Sequence, residues 1–156
     1  MQLTEILSAD RILLDPGGVI VHSKGEAMRI LSRLLAPTLG AEEGVIEQVL
    51  DERERLQSTG IGDGVAIPHA SMDAAPSQAA ALLLCPRGVD FDAIDGAPVN
   101  IIFGVVGPKR ATGEHLRILA RISRMLRDPS TREALVRSED AEEAYRFIEQ
   151  KDQAPP

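Results

Sequence analysis

The stretch Ser58-Thr59-Gly60-Ile61-Gly62-Asp63-Gly64-Val65-Ala66-Ile67-Pro68-His69 is the part of the chain that constrains its architecture most. Three glycines at alternate positions permit positive φ and let bare backbone approach its surroundings closely. Val65-Ala66-Ile67 then reads as a short buried strand. Pro68 has no N–H to give to a ladder, so pairing should stop or bulge there. His69 is left at the strand end beside a loop with free N–H groups, a setting that suits an imidazole nucleophile better than a packing residue.

Outward from this stretch, helical and strand patterns alternate. Upstream, Thr4 to Leu7 predicts a turn or short helix, Arg11 to Leu14 a first strand, and Asp15-Pro16-Gly17-Gly18 a turn. Ser23 and Glu26 form a capping-box signature. The helix they open carries Ala27, Ile30, Leu31, Leu34 and Leu35 on one face and should end at Pro37 and Gly40. A second helix, from about Glu42 to Gln57, has acidic residues in its first turn and an apolar face of Ile46, Val49, Leu50 and Leu56. Downstream, Ser71 to Gln78 reads as a polar loop, and Ala80 to Cys85 and Val99 to Val106 as strands. The second of these is a nearly continuous apolar run, as expected of a strand covered on both faces. A helix from Gly113 to Arg127 should bury Leu116, Leu119, Ile122 and Leu126, with Thr112 as its N-cap. Shorter helices are expected at Thr131 to Arg137 and Ala141 to Gln150. These elements predict an α/β fold, a single-domain sandwich. The domain should span residues 1–150, with 151–156 as a flexible C-terminal tail.

A chain of 156 residues with 44% hydrophobic content can build one full core. The net charge of −7 argues against nonspecific nucleic-acid binding and favours partners with a basic face. Cys85 stands alone within an apolar run and reads as a buried thiol. The N-terminus lacks a basic region followed by an apolar run, and no apolar stretch approaches the ~20 residues that span a bilayer. A cytoplasmic location without membrane insertion is therefore expected. Three scattered histidines and one cysteine give no metal-ligand spacing, and none is assigned. The Gly60-x-Gly62-x-Gly64 pattern precedes a strand, whereas a nucleotide fingerprint opens a helix, so nucleotide binding is not expected. Asp90, Asp92 and Asp95 read as turn residues, with Phe91 and Ile94 anchoring the turn in the core. His22, with no motif around it, reads as a surface or structural residue.

Three residues carry the chemistry. His69 presents an imidazole that is neutral near pH 7 and suited to act as a nucleophile, or else a structural ring bonded to a loop carbonyl. Arg53 shares a helix face with Ile46, Val49 and Leu50, so its guanidinium needs a partner. Either a carboxylate or a phosphate, bound by a fork of N–H donors, would serve. His115 falls in the first turn of a helix, where the helix dipole disfavours the imidazolium and keeps the ring a neutral donor. Ser58 and Thr59 could bond a phosphate or close the loop.

The Gly-rich segment ending in Ile67-Pro68-His69 closely resembles the active-site segment of IIA components of the bacterial phosphotransferase system, of the mannitol, fructose and nitrogen-regulatory superfamily. Glu52-Arg53-Glu54, Asp90-Phe91-Asp92-Ala93-Ile94-Asp95-Gly96 and Glu114-His115-Leu116 extend the resemblance over most of the chain. It implies an α/β sandwich whose mixed β-sheet is flanked by helices on both sides, that His69 carries a phosphoryl group, that Arg53 lies in the active site, and that His115 sits beside His69. Phosphate contacts from Ser58, Thr59 and the backbone of Gly60, Gly62 and Gly64 are also expected. It implies an HPr-like phosphocarrier protein as donor and no cofactor, since both ends of the transfer are nitrogen bases. Ser58 to Gly62 and Phe91 to Gly96 look more like the nitrogen-regulatory type, with downstream regulatory targets. The alternative is a fructose- or mannitol-type protein passing phosphate to a IIB component. Ala70 stands where the family usually has glycine, which admits a third expectation, a seldom-phosphorylated regulatory binding module.

Overall fold

The apolar run at Val99–Val106 becomes the long strand around which the other strands pair. A computed structural model describes residues 1–152. Its elements are β1 (Ile12–Leu14), α1 (Lys24–Leu39), α2 (Glu43–Leu56), β2 (Gly60–Gly62), β3 (Val65–Ala66), β4 (His69–Met72), β5 (Ala79–Val89), β6 (Val99–Pro108), α3 (Thr112–Met125), α4 (Pro129–Val136) and α5 (Ala141–Asp152). The sheet order is β1-β5-β6-β3-β2, and β4 continues the β3 edge by pairing with β6. β1 runs parallel to β5, β5 antiparallel to β6, and β3 and β4 parallel to β6. The sheet is therefore mixed, with helices on both faces.

Alternation along the strands divides the core in two. Ala79, Ala81, Leu83 and Cys85 of β5, with Ile102 and Val106 of β6, pack against Leu31 and Leu35 of α1 and Ile46 and Leu50 of α2. Ala80, Leu82, Leu84, Ile101, Phe103 and Val105 face the other way, against Ile118 and Ile122 of α3 and Ile148 of α5. Gly104 lets α1 come close: a Cβ there would lie 3.1 Å from Leu31.

Several boundaries depart from the sequence expectation, each for a local reason. Helix α1 runs past Pro37 to Leu39 and stops at Gly40, which takes φ 62°. Proline removes one N–H but does not end the helix, whereas the left-handed glycine does. Leu56 is 82% exposed and Leu116 60% exposed, so neither helps to bury its helix. Glu54 and His115 take core-facing places on these helices instead. Thr112 is the first residue of α3 rather than its cap, and its hydroxyl donates to Lys109 O at 3.0 Å. Phe91 anchors its turn as expected, but Ile94 is 74% exposed. The glycine loop forms a strand of its own, β2, and what reads as a polar loop after His69 begins as β4, because its backbone pairs in parallel with β6 from Val105 to Pro108.

The expected tail begins two residues too early. Lys151 and Asp152 belong to α5, and the buried carboxylate of Asp152 accepts from Leu3 N at 2.7 Å and pairs with Arg121. Residues 153–156 of the expected tail lie outside the described residues. No helix among the described residues is long and apolar enough to cross a membrane.

Cys85 is buried, and that burial, with Asp15 nearby, pushes its thiol pKa up to about 12. His22 lies at the surface with Nδ1 3.2 Å from Glu26. Asp15, unmarked in sequence beyond its turn, is buried and accepts from the N–H groups of Val19, Ile20 and Val21.

Candidate functional site

His69 begins β4, directly after Pro68. Ile67 N donates to Thr59 O and Val105 N donates to Pro68 O, so the chain is held on both sides of the proline. Ala70 and Met72 pack toward α1 and α2, so alternation turns the His69 ring to the opposite face, where α3 lies. Ala70 is buried in that core and pairs with Val106. Its φ is not positive, so the methyl in place of the usual glycine hydrogen introduces no backbone strain.

The His69 ring is fixed by its own backbone: Nδ1 lies 2.7 Å from the Ile67 carbonyl oxygen. A carbonyl only accepts, so Nδ1 carries the hydrogen and the neutral ring keeps its lone pair on Nε2. Burial lowers the His69 pKa below the ordinary imidazole value. The Ile67 bond opposes that shift, and the positive charge of Arg53 adds to it. The result is a ring that is neutral at neutral pH, held by Ile67 with its Nε2 lone pair free.

His115, in the first turn of α3, is brought beside it, with ring centroids 5.9 Å apart and planes 49° apart. Its Nδ1 is 2.8 Å from Gln78 Oε1. Burial, with His69 as a second cause, lowers its pKa to about 4. That shift fixes the sign of a pH effect. Between about 6.5 and about 4 the unfolded chain binds the proton and the native protein does not, so stability is full above pH 6.5 and falls as pH drops through this window. The loss is about 3 kcal/mol, from 2.5 units of pKa difference. Urea unfolding from about pH 7.5 down to about pH 4 should show this loss in the wild type and much less of it in His115→Asn. The same pH slope in both would contradict it.

Arg53 comes from the last turn of α2. It is half-buried and donates through Nη1 to Gln57 O at 3.1 Å. It pairs with no carboxylate among the described residues, so of the two partners left open by sequence the carboxylate is absent. The neighbouring carboxylate, Glu54, is engaged elsewhere. It accepts from Thr59 N at 2.9 Å and Thr59 Oγ1 at 2.6 Å, and lies 2.8 Å from Lys24 Nζ. Burial opposes its charge, but the bonds from Lys24 and Thr59 outweigh burial and hold its pKa below the ordinary carboxylate value. In sequence, Glu54 stands out only as part of the Glu52-Arg53-Glu54 motif. The signal for its real role was its position four residues after the buried Leu50, on the core-facing stripe.

The glycine-rich loop serves the fold and is not gathered around His69. Thr59 is buried, and its hydroxyl and N–H are both spent on Glu54. Ser58 Oγ donates to Phe91 O at 2.9 Å and accepts from Gly60 N at 3.1 Å. Of the two roles left open for these hydroxyls, the bonds they make are those of loop closure. Gly60 is glycine because the following turn presses on it: a Cβ would sit 2.9 Å from the Cα of Ala93. Gly62 and Gly64 form the far turn of the β2–β3 hairpin, with φ of 96° and 76°. Gly64 O accepts from Asn100 N and Ile101 N, whereas His69 pairs with Val105. Five residues of strand separate those positions, roughly 16 Å. The expected phosphate contacts from Gly62 and Gly64 are thus corrected by strand geometry, and those from Ser58, Thr59 and Gly60 by their existing bonds.

The assembled site therefore consists of a pre-aligned imidazole, a second neutral imidazole and a guanidinium without a carboxylate. Comparison with known proteins gives the family. The family described as "Phosphoenolpyruvate-dependent sugar phosphotransferase system, EIIA 2" matches residues 5–151. A "Nitrogen regulatory protein" of Pseudomonas aeruginosa is 37% identical over 150 residues, covering 95% of each chain. The crystal structure of Nitrogen Regulatory Protein IIA-Ntr from Neisseria meningitidis superposes with a TM-score of 0.86 at 34% identity, covering 93% of this chain and 97% of that one. The Escherichia coli enzyme IIA mannitol, solved in complex with phosphorylated enzyme IIB mannitol, shares the fold with a TM-score of 0.77 at 21% identity, over 92% of this chain and 97% of that one. The chain belongs to the EIIA 2 family of the phosphoenolpyruvate-dependent phosphotransferase system.

Proposed function

We propose that this protein is a phosphohistidine carrier of the nitrogen-regulatory type, which accepts a phosphoryl group on His69 from a histidine of an HPr-like protein. The observation that carries this reading is the bond from His69 Nδ1 to Ile67 O, which leaves Nε2 as the ring's free lone pair. In the transfer, that lone pair forms a new N–P bond in line as the donor's N–P bond breaks, and the donor ring, carrying a hydrogen on its other nitrogen, departs with the bonding electrons as a neutral imidazole. Nδ1–H stays on Ile67 throughout, so no proton has to move for the transfer to occur. Arg53 and His115 stabilise charge on the equatorial oxygens, the guanidinium through its fork of N–H donors and His115 as the tautomer that carries its hydrogen on Nε2. Each end of the exchange is an imidazole, so the step is near thermoneutral and reversible, as a relay needs. Cytoplasmic location follows from the location of such donors.

The likeness to nitrogen regulatory proteins supports the regulatory branch over the sugar branch. In the alternative, the phosphoryl group passes on to a IIB component in sugar uptake. The strain-free Ala70 weakens the third reading, a module that is seldom phosphorylated.

Labelled phosphoenolpyruvate with enzyme I and HPr-like protein from the same cell tests the proposal. Wild type should take up one phosphoryl group, stable in alkali and lost in acid, and His69→Ala should take up none while unfolding at a similar urea concentration. Equal labelling of the two proteins would refute the assignment.

A further inference from the structure

Gln78, which lies between the end of the β4 loop and β5, is the residue on which His115 leans. It is 3% exposed and its Oε1 sits 2.8 Å from His115 Nδ1. Its Nε2 is buried without any hydrogen-bond partner, the one such side-chain atom among the described residues. An unpaired buried amide donor is costly, more so than an unpaired carbonyl oxygen with spare lone pairs. The amide is also tightly housed. It lies over Gly107 of β6, where a Cβ would overlap both of its terminal atoms. A half-turn about its last bond exchanges oxygen and nitrogen in place with little change in shape. In the exchanged arrangement Nε2–H donates to His115 Nδ1, and the oxygen occupies the partnerless position.

The two arrangements differ in what they do to His115. With the oxygen on Nδ1, that nitrogen must carry the hydrogen, and Nε2, which makes no hydrogen bond among the described residues, is left as a bare lone pair. A lone pair repels a phosphoryl oxygen. With the amide N–H on Nδ1, the neutral ring carries its hydrogen on Nε2 and becomes a donor. At a ring held neutral by burial, only the tautomer decides between these outcomes.

We infer that Gln78 is a positioning residue: its amide N–H donates to His115 Nδ1 and so fixes the Nε2–H tautomer with which His115 meets a phosphoryl group on His69. The purpose of this device rests on the carrier reading of His69, but the tautomer itself does not. Gln78 touches no reacting atom; it acts through His115. The absence of a side chain at Gly107 belongs to the same device, because it creates the slot in which the amide lies.

Ring ¹⁵N spectra of the unphosphorylated protein at about pH 7.5 test the tautomer without any phosphotransfer. Wild-type His115 should show an unprotonated Nδ1 and a protonated Nε2. Gln78→Glu, of the same shape but able only to accept when ionised, should move a proton onto Nδ1. A protonated Nδ1 in wild type would overturn the inference, as would an unprotonated Nδ1 in folded Gln78→Glu; the wild-type spectrum decides even if that variant does not fold. A kinetic arm uses Gln78→Met, which fills the slot without donor or acceptor. It should slow uptake of phosphoryl by about tenfold, and a wild-type rate in the folded variant would also count against Gln78. Wild type that takes no label on His69 would sink the carrier reading while leaving the tautomer result standing, so the two failures are distinct.

Discussion

Glu54→Ala should destabilise the protein by about 3 kcal/mol or more, the largest single-residue effect expected outside the aliphatic core. Its carboxylate accepts two bonds from Thr59 and holds Lys24, all at a side chain only 6% exposed. Truncation leaves Lys24 without its close partner and the Thr59 N–H unpaired in a buried place, and each of those costs free energy that the wild type does not bear. Thr59 also anchors Ile67, the residue whose carbonyl holds His69. The damage should therefore reach the nucleophile. Urea unfolding measures the first effect, and a loss of less than 1 kcal/mol would contradict it. Glu54 also sets an acid limit. Its pKa is held below the ordinary 4.5, so its contribution is full above that value and is lost as pH falls through the lower, folded one.

Arg53→Lys should slow phosphoryl uptake tenfold or more while changing stability little. Lysine keeps the charge but loses the planar fork, and one charge-assisted hydrogen bond to a transferring phosphoryl group is worth about 1.5–3 kcal/mol. Arg53 is available for that work, because among the described residues its side chain bonds only the Gln57 carbonyl. Arg55, two residues on, is exposed on another side of α2, and Arg55→Lys should be nearly silent. Single-turnover transfer from a phosphorylated HPr-like donor compares the two. Equal effects would mean that Arg53 acts only through general positive charge near the site.

The apolar periods of α1, β5 and β6 were legible in sequence because burial follows the period of the element. The Pro-His punctuation marked the place where β3 ends and His69 opens β4, because few local arrangements accommodate it. Neutral His115 was legible from its place near a helix start, although the causes that lower its pKa are burial and the neighbouring ring. What sequence concealed was long-range pairing. Leu56 and Leu116 look like core residues by type, yet Glu54 and His115 take core-facing places because bonds to Thr59 and Gln78 satisfy them. The three glycines looked like one phosphate cradle. They are a close approach to Ala93 and two positive-φ turn positions, which no local pattern separates from a cradle. Gln78 carried no signal at all, because its significance lies in a histidine 37 residues away.

The central claim is that His69 takes the phosphoryl group through Nε2, because Ile67 occupies Nδ1. ¹⁵N and ³¹P NMR of the ring-labelled phosphoprotein reads the linkage directly. A single phosphorus coupled to Nε2 of His69, with Nδ1 still protonated, is the predicted result; phosphorus on Nδ1 of His69, or on His115, would contradict it.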